Sequence, residues 1–536
     1  MNNNKKMYTV VVSITSLSIG MIYYGFKNNI SLENISSISS TELLNVIDKD
    51  TYKKYQNTVS DYNLGRVLLG EDEESIYVDL KGTIGVPKKV NNAPIIFILS
   101  GNNNSLEINN TTKNTYKGLK YLVDNLSKAG YLTILINTDL AFDEDKEGYI
   151  VEDKILSLAF EKHYKYLKDS ISGKYNKYPI SLYKKGDLSN IGLIGQSNTG
   201  RTIYNIANHQ ILAGKNNIKG LLSITPNKGS YISSYPDIPS SILSTEHSVD
   251  TTTSFDMYND IEKSLDRKSF SHITYLIGGN SNKFNNLVED NTLEDTSNEG
   301  ISSYNLPKAS IATNEDTIQD EYTHQEFLSC YSIDFFDYIF NKNTENTLYK
   351  VDNPTPQKLY KKHILSKLFT SDRKEIFNMN SLKNSKINFN EPATNIQLEL
   401  LQLDWKNKNS SLDLPIDNKD LSQYKSISIE WALNHSSELS TNDIEKVSVI
   451  LRERNNKSEV ILLDELPLNK IDGVSESIIS GDKTITNWSR FTPIGETRIP
   501  LDLFKDINLK NIENISINFN DNETGSIYLK NIYLNK

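Results

Sequence analysis

The 536-residue chain is too long for one hydrophobic core, because single cores stop growing near about 250–300 residues. Its hydrophobic share of 37% and charged share of 24% exclude wholesale disorder. A formal net charge of −10, without a long basic run, gives no electrostatic footprint for nucleic acid as a partner. The only cysteine, Cys330, excludes an intramolecular disulfide framework and a cysteine-based metal cluster.

The amino terminus carries a membrane signal. Lys5 and Lys6 precede an uncharged stretch, residues 7–26, of about the 20 residues that a membrane-spanning helix needs. Residues 22–26 are bulky, whereas a cleaved signal ends in small residues, so residues 1–27 are expected to be an uncleaved anchor. The positive-inside tendency then places the rest of the chain outside the cell membrane, and a secreted protein is the alternative.

The first half of the chain has the pattern of an α/β domain. After a Ser- and Asn-rich segment, 28–74, expected to be a tether, apolar runs alternate with amphipathic stretches. Such alternation predicts a mostly parallel sheet covered by helices on both faces, over residues 75–345. The runs are 95–99, 116–128, 132–136, 155–167, 191–194, 202–212, 220–224, 272–277, 309–312 and 325–340.

The second half has a different period. Residues 346–377 are polar, contain Pro354 and Pro356, and are expected to form a linker. Beyond residue 378 apolar residues alternate with a period of two, as at Ile427, Ile429 and Trp431. This pattern predicts a β-sandwich over residues 378–536.

The strongest motif is a glycine-flanked serine between an apolar run and an amphipathic stretch. Residues 190–203 place Ser197 between Gly195 and Gly200, at the predicted junction of strand and helix. A sharp turn there pushes the hydroxyl out of the sheet, and the helix amino terminus favours developing negative charge. The pattern therefore indicates a serine nucleophile, although similar turns also serve tight packing alone.

This motif resembles the nucleophile elbow of the α/β-hydrolase family, G-x-S-x-G, and particularly its bacterial esterase-like branch. Gly195, Ser197 and Gly200 match, whereas Thr199 replaces an expected glycine. The resemblance covers roughly residues 75–340, including residues 94–100 followed by Gly101, Asn102 and Asn103, where the family has its oxyanion loop. It implies that the backbone N–H groups of Asn102 and Asn198 form an oxyanion hole.

The resemblance also suggests partners for Ser197. In the family, the acid that orients the base commonly follows the strand that corresponds to residues 274–277 of this chain. Asn282 occupies that position here and is the expected orienting group, with Asp250 and Asp290 as the alternatives. The base is expected to be His324, the first histidine after the next predicted strand. A surface role for His324 and a turn role for Asn282 remain the alternatives. No histidine pair has a metal-ligand spacing, so no metal or other cofactor is expected.

The end of the chain resembles the last strands of jelly-roll carbohydrate-binding modules, at residues 499–503 and 525–532. Trp405, Trp431 and Trp488 all lie in this half, where they could stack on sugar rings or fill the core. The period-two pattern favours the core for Trp431. The resemblance implies a carbohydrate partner for this domain.

Two functional hypotheses follow. The first is an extracytoplasmic serine hydrolase that cleaves carboxylic esters through an acyl-enzyme, with an α/β-hydrolase fold, a carboxy-terminal jelly-roll sandwich and an amino-terminal transmembrane helix. The second is a catalytically degenerate relative of the same fold that serves as a surface binding protein. A histidine nitrogen within hydrogen-bond reach of Ser197 would distinguish the first from the second.

Overall fold

The structure of the protein is a computed structural model. The residues that it describes are 35–39, 54–70, 75–101, 115–139, 149–227, 231–248, 251–264, 266–287, 321–343, 347–377, 388–389, 395–397, 400–407, 410–416, 420–434, 437, 439, 446–464, 478–480, 483–485, 493–519 and 523–536.

The first folded unit is built on a ten-stranded sheet. The strands are β2 (Asn57–Leu69), β3 (Ile76–Pro87), β4 (Ala93–Leu99), β5 (Leu132–Ile136), β6 (Gly186–Gln196), β7 (Ile218–Ile224), β8 (Ser240–His247), β9 (Ser271–Asn280), β10 (Lys358–Leu359) and β11 (Lys362–Phe369). Their order in the sheet is β10-β11-β9-β8-β7-β6-β4-β5-β3-β2.

Helices cover both faces of this sheet. In the described residues they are α1 (Lys120–Lys128), α2 (Tyr149–Ile171), α3 (Thr199–Leu212), α4 (Thr251–Glu262) and α5 (Glu321–Ile339). Apolar residues of α2, α3 and α4 share one core with one face of the sheet, and those of α1 and α5 share a second core with the other face. The central strands are buried on both sides because each face is covered, which explains their continuous apolar runs.

The predicted α/β-hydrolase fold with a mostly parallel sheet is wrong. More of the described residues lie in strands than in helices, and the ten-stranded sheet contains both parallel and antiparallel pairs. Strands β4 to β9 pair in parallel, whereas β2, β3, β10 and β11 pair antiparallel at the two flanks. These flanking strands were missed because they lie outside the alternation of apolar runs and helices. Strand β2 falls in the expected tether, β3 precedes the first apolar run at 95–99, and β10 and β11 fall in the expected linker.

The second unit is a sandwich of two six-stranded sheets around one core. One sheet has the order β1-β19-β18-β23-β16-β13 and the other β14-β15-β24-β17-β22, with β12 paired to β24. A separate hairpin joins β20 to β21. The strands are β1 (Ile35–Ser39), β12 (Arg373–Phe377), β13 (Asn388–Phe389), β14 (Asn395–Gln397), β15 (Leu400–Trp405), β16 (Ser411–Pro415), β17 (Ser426–Leu433), β18 (Lys446–Glu453), β19 (Ser458–Asp464), β20 (Ile478–Ser480), β21 (Lys483–Ile485), β22 (Gly495–Pro500), β23 (Ile512–Asn518) and β24 (Gly525–Asn535).

The predicted jelly-roll topology of the carboxy-terminal domain is also wrong. A jelly roll has eight antiparallel strands, whereas each sheet of this sandwich has six, and β1 pairs with β19 in parallel. Strand β1 comes from the amino-terminal segment, so a period-two pattern within residues 378–536 could not reveal it.

The transmembrane part of the prediction concerns residues 7–26, which lie outside the described residues. Within the described part of the chain, no helix combines the length and apolarity needed to cross a membrane.

Buried charges join the two units. Lys367 of β11 forms an ion pair with Glu430 of β17 at 2.7 Å, and both side chains are 3% exposed. Arg373 pairs with Glu262 of α4 at 2.6 Å. Burial alone would raise the pKa of Glu430, but Lys367, Lys530 and Arg373 lower it to about 2. The interface therefore holds its charges in ionised form.

Candidate functional site

Ser197 occupies a strained turn between β6 and α3. Its φ is +53°, a conformation that residues other than glycine rarely adopt and that costs on the order of 1–3 kcal/mol. The hydroxyl of Thr199 fixes the turn, because it accepts a hydrogen bond from Gln196 N at 3.0 Å and donates one to Leu99 O at 2.7 Å. The local geometry is that of a half-buried serine in a sharp turn at the end of a strand.

Glycines allow the neighbouring backbones to approach this turn closely. A Cβ on Gly195 would lie 2.2 Å from Thr199 O, and one on Gly101 would lie 2.3 Å from Gln196 O and 2.6 Å from Ser197 Cβ. Gly101 follows β4, the parallel neighbour of β6. The segment expected to contribute to an oxyanion hole therefore packs directly against Ser197, while Asn102 itself lies outside the described residues.

Asn198 stands at the amino terminus of α3, where it is the N-cap residue. The first N–H groups of a helix have no acceptor within the helix, so they suit a developing oxyanion. The side chain of Asn198 is buried, and its Oδ1 accepts a hydrogen bond from Asn227 Nδ2. Asn198 is thus held in place beside Ser197.

The hydroxyl of Ser197 contacts side-chain amides. Its Oγ donates to Asn198 Oδ1 at 3.4 Å and accepts from Asn227 Nδ2 at 3.5 Å. Both hydrogen bonds are long, since such bonds are usually 2.5–3.2 Å. Among the described residues, the hydrogen-bond partners of this hydroxyl include no imidazole.

His324 and Asn282 meet at a different strand. Asn280 N donates to His324 Nε2 at 2.9 Å, and Asn282 N donates to Asn280 Oδ1 at 2.9 Å. His324 is fully buried and its ring packs edge-on against Phe284 at 5.6 Å. Because Nε2 accepts from an amide, the neutral ring carries its proton on Nδ1. His324 therefore braces the turn after β9.

The two groups of predicted residues share one edge of the sheet but lie apart along it. Ser197 and Asn198 follow β6, whereas Asn282 follows β9 and His324 contacts its end, with β7 and β8 in between. Three strand spacings of about 4.8 Å correspond to about 14 Å between the two backbones. Ligands bind at such edges in open sheets, because the carboxyl ends of parallel strands meet there.

Strand β8 brings two residues to this edge that the sequence interpretation missed. It ends with Glu246 and His247, and His247 pairs in register with Asn280. Glu246 is buried and its Oε2 accepts a hydrogen bond from Gly278 N at 2.7 Å. The hydrophobic pattern predicts no strand here, because only Ile242 and Leu243 form the apolar centre of the segment.

The remaining predicted residues lie away from this edge of the sheet or outside the described residues. Asp250 and Asp290, the alternative acids, and Trp488 are not among the described residues. Trp405 and Trp431 are 0% and 1% exposed in the sandwich core, so neither presents a face to a sugar. No group of three His, Cys, Asp or Glu side chains suited to a metal ion occurs in the described ranges.

Comparison of the chain with protein-family models gives no match, and comparison with curated proteins gives none either.

Proposed function

We propose that this protein is a serine hydrolase that cleaves carboxylic esters through an acyl-enzyme on Ser197. The observation that carries the proposal is the positive φ of Ser197 at a tight junction of strand and helix. Backbone strain of this kind persists only where the surrounding structure enforces it, and it clusters at active sites. Thr199 and the close approach of Gly101 enforce it here.

The proposed reaction proceeds in two halves. Ser197 Oγ attacks the ester carbonyl carbon while a base takes its proton, and the base then protonates the alcohol as the carbon–oxygen bond breaks. Water attacks the resulting acyl-enzyme in the same manner, which releases the carboxylic acid and restores Ser197. The N–H groups of Asn102 and Asn198 are proposed to stabilise the oxyanion in both halves, and the reaction needs no cofactor.

His324 is the proposed base, as the sequence predicts. Its Nε2 accepts a hydrogen bond from Asn280 N and would have to leave this bond to take the proton of Ser197. Asn282 is the proposed group that orients the base, and its backbone N–H donates to Asn280 Oδ1 at the same turn. Glu246, whose Oε2 accepts from Gly278 N, is the alternative orienting group.

The proposed setting is the outer side of a cell membrane, with residues 1–27 as an anchor or, alternatively, as the signal of a secreted protein. Its support is the uncharged stretch 7–26 behind two lysines. The proposed partners are an ester substrate, the membrane itself and a carbohydrate at the sandwich. Since Trp405 and Trp431 are buried, sugar binding would have to use other residues.

The first test is labelling of the full-length chain with a fluorophosphonate probe. We expect the wild type to be labelled, Ser197→Ala to lose all labelling, and His324→Ala to reduce the rate of labelling by at least 100-fold. His209→Ala, on the exposed face of α3, is the control and should label like the wild type. A folded wild type that takes no label would refute the proposal.

The second candidate function is a surface binding protein built on a non-catalytic version of this site. One specific observation favours it. Ser197 Oγ forms hydrogen bonds with side-chain amides, while His324 Nε2 accepts a hydrogen bond from Asn280 N. An unlabelled but folded protein that binds carbohydrate or another surface ligand would support this function.

A further inference from the structure

Asn227 lies on the opposite side of Ser197 from the predicted oxyanion segment. It follows β7, whereas Gly101 follows β4, and β6 lies between these two strands. Ser197 is therefore flanked by the Gly101 backbone on one side and by Asn227 on the other. The sequence interpretation assigned no role to Asn227.

Three contacts connect Asn227 to the turn. Its backbone N–H donates to Ser197 O at 3.4 Å, and its Nδ2 donates to the buried Asn198 at Oδ1. Its Nδ2 also lies 3.5 Å from Ser197 Oγ. The amide is therefore held in a defined orientation, which is the condition for electrostatic stabilisation without reorganisation during the reaction.

The distance of 3.5 Å is long for a bond to Ser197 Oγ itself. It is suited to a donor for an oxygen two bonds from Oγ, because in the tetrahedral intermediate the substrate oxygens are attached to the carbon atom that Oγ binds. A primary amide nitrogen carries two hydrogens, so one nitrogen can hold Asn198 and donate to a second acceptor. As a neutral donor, it matches the oxygen of an uncharged ester.

We propose that the side-chain amide of Asn227 donates a hydrogen bond to a substrate oxygen in the tetrahedral intermediate on Ser197, which makes Asn227 a further catalytic residue. This proposal rests on the proposed serine hydrolase function. It adds a side-chain donor to the backbone donors, on the face of Ser197 away from Gly101. The substrate class remains a neutral carboxylic ester.

The test uses the full-length chain with Asn227→Ala and Asn227→Asp; the aspartate keeps the shape of the side chain but removes the donor. We expect kcat for p-nitrophenyl acetate and the rate constant of fluorophosphonate labelling to fall about 100-fold, as for other lost oxyanion donors. KM should change little, whereas the thermal unfolding midpoint should fall by a few degrees at most, because the buried Asn198 Oδ1 loses one donor but keeps the one from Ser197 Oγ. Asn208→Ala is the matched control, because Asn208 Nδ2 donates to Ser234 O and not to Ser197.

The outcomes separate this proposal from the function on which it rests. If both Asn227 variants stay within threefold of the wild type while Ser197→Ala abolishes labelling, the role of Asn227 is refuted and the hydrolase function stands. A loss confined to KM would also refute it, since a donor to the intermediate acts on kcat. If the folded wild type takes no label and hydrolyses no ester, both proposals fail.

Discussion

At the scale of single residues, the backbone of Ser197 is strained. Its left-handed backbone is adjacent to a buried strand, and a side chain at this φ is disfavoured whatever its chemistry. Glycine adopts the same φ without a Cβ penalty. The strain can therefore be measured separately from any reaction, by comparing two variants that both lack the hydroxyl.

We expect Ser197→Gly to be more stable than Ser197→Ala by about 1 kcal/mol, because only alanine keeps the Cβ that is strained at positive φ. Thermal unfolding of the two variants measures the difference. Lys165, exposed in α2, is the control site: there alanine should be more stable than glycine by about 1 kcal/mol. Equal stability of the two Ser197 variants would mean that the turn is not strained.

Single residues were predictable where local chain geometry decides their surroundings. The junction of strand and helix at Ser197 followed from Gly195, Gly200 and the apolar run before them, and the structure has this junction. The amide contacts of Ser197 depend on Asn227, which is 30 residues away, and local pattern carries no information on such a pair. The contact of His324 with Asn280 was inaccessible for the same reason.

At the scale of elements, the apolar strands were recognised, whereas the flanking strands and the buried, polar β8 were not. Strand β4 and residues 191–194 of β6 are continuous apolar runs, which is the pattern of central parallel strands. Strand β2 alternates between exposed and buried residues, and β8 is rich in serine and threonine. Their position is determined by pairing with distant strands, so the mixed character of the sheet could not be read from hydrophobic runs alone.

Helix α2 is joined to β2 by a buried histidine. Tyr62 OH lies 3.1 Å from His163 Nδ1, and burial lowers the pKa of His163 from 6.5 to about 3. In the unfolded chain the histidine binds a proton below about pH 6.5, whereas in the folded chain it stays neutral until about pH 3. The stability that this contact contributes is therefore lost as the pH falls from 6.5 towards 3.

Between pH 6.5 and pH 5 this single group should cost the folded state about 2 kcal/mol, at about 1.4 kcal/mol per pH unit. We expect His163→Gln to be less stable than the wild type at pH 7 but to lose about 2 kcal/mol less on acidification to pH 5. Urea unfolding at both pH values measures this. His209→Gln, at an exposed site, should retain the wild-type dependence. An unchanged pH dependence in His163→Gln would contradict the assignment.

At the scale of the whole molecule, buried ion pairs connect the ten-stranded sheet to the sandwich. Lys367 and Glu430 come from different units, and Leu368 N donates to Glu496 Oε2 at 2.8 Å across the same interface. Lys530 Nζ also donates to Asn259 Oδ1 of α4 at 3.0 Å. Removal of one partner leaves a charge buried without compensation, which is more costly than the pair itself is stabilising.

We expect Glu430→Gln to lower the free energy of unfolding by about 3–5 kcal/mol, because it leaves Lys367 without its carboxylate. Lys367→Met combined with Glu430→Gln should recover part of this loss. Urea unfolding followed by tryptophan fluorescence reports on the sandwich, where Trp405 and Trp431 lie. Glu513→Gln, at an exposed position of β23, is the control and should change stability by less than about 0.5 kcal/mol.

Strand β1 is synthesised long before β19, the strand with which it pairs. About 420 residues separate Ser39 from Ser458, where β19 begins. At roughly 5–20 residues per second, a ribosome therefore needs about 20 to 85 seconds to reach the partner of β1. The ten-stranded sheet can form in that interval, but the outer edge of the sandwich cannot. A nascent chain therefore carries an unpaired amino-terminal strand until translation is almost complete, and chains that terminate early never complete this edge.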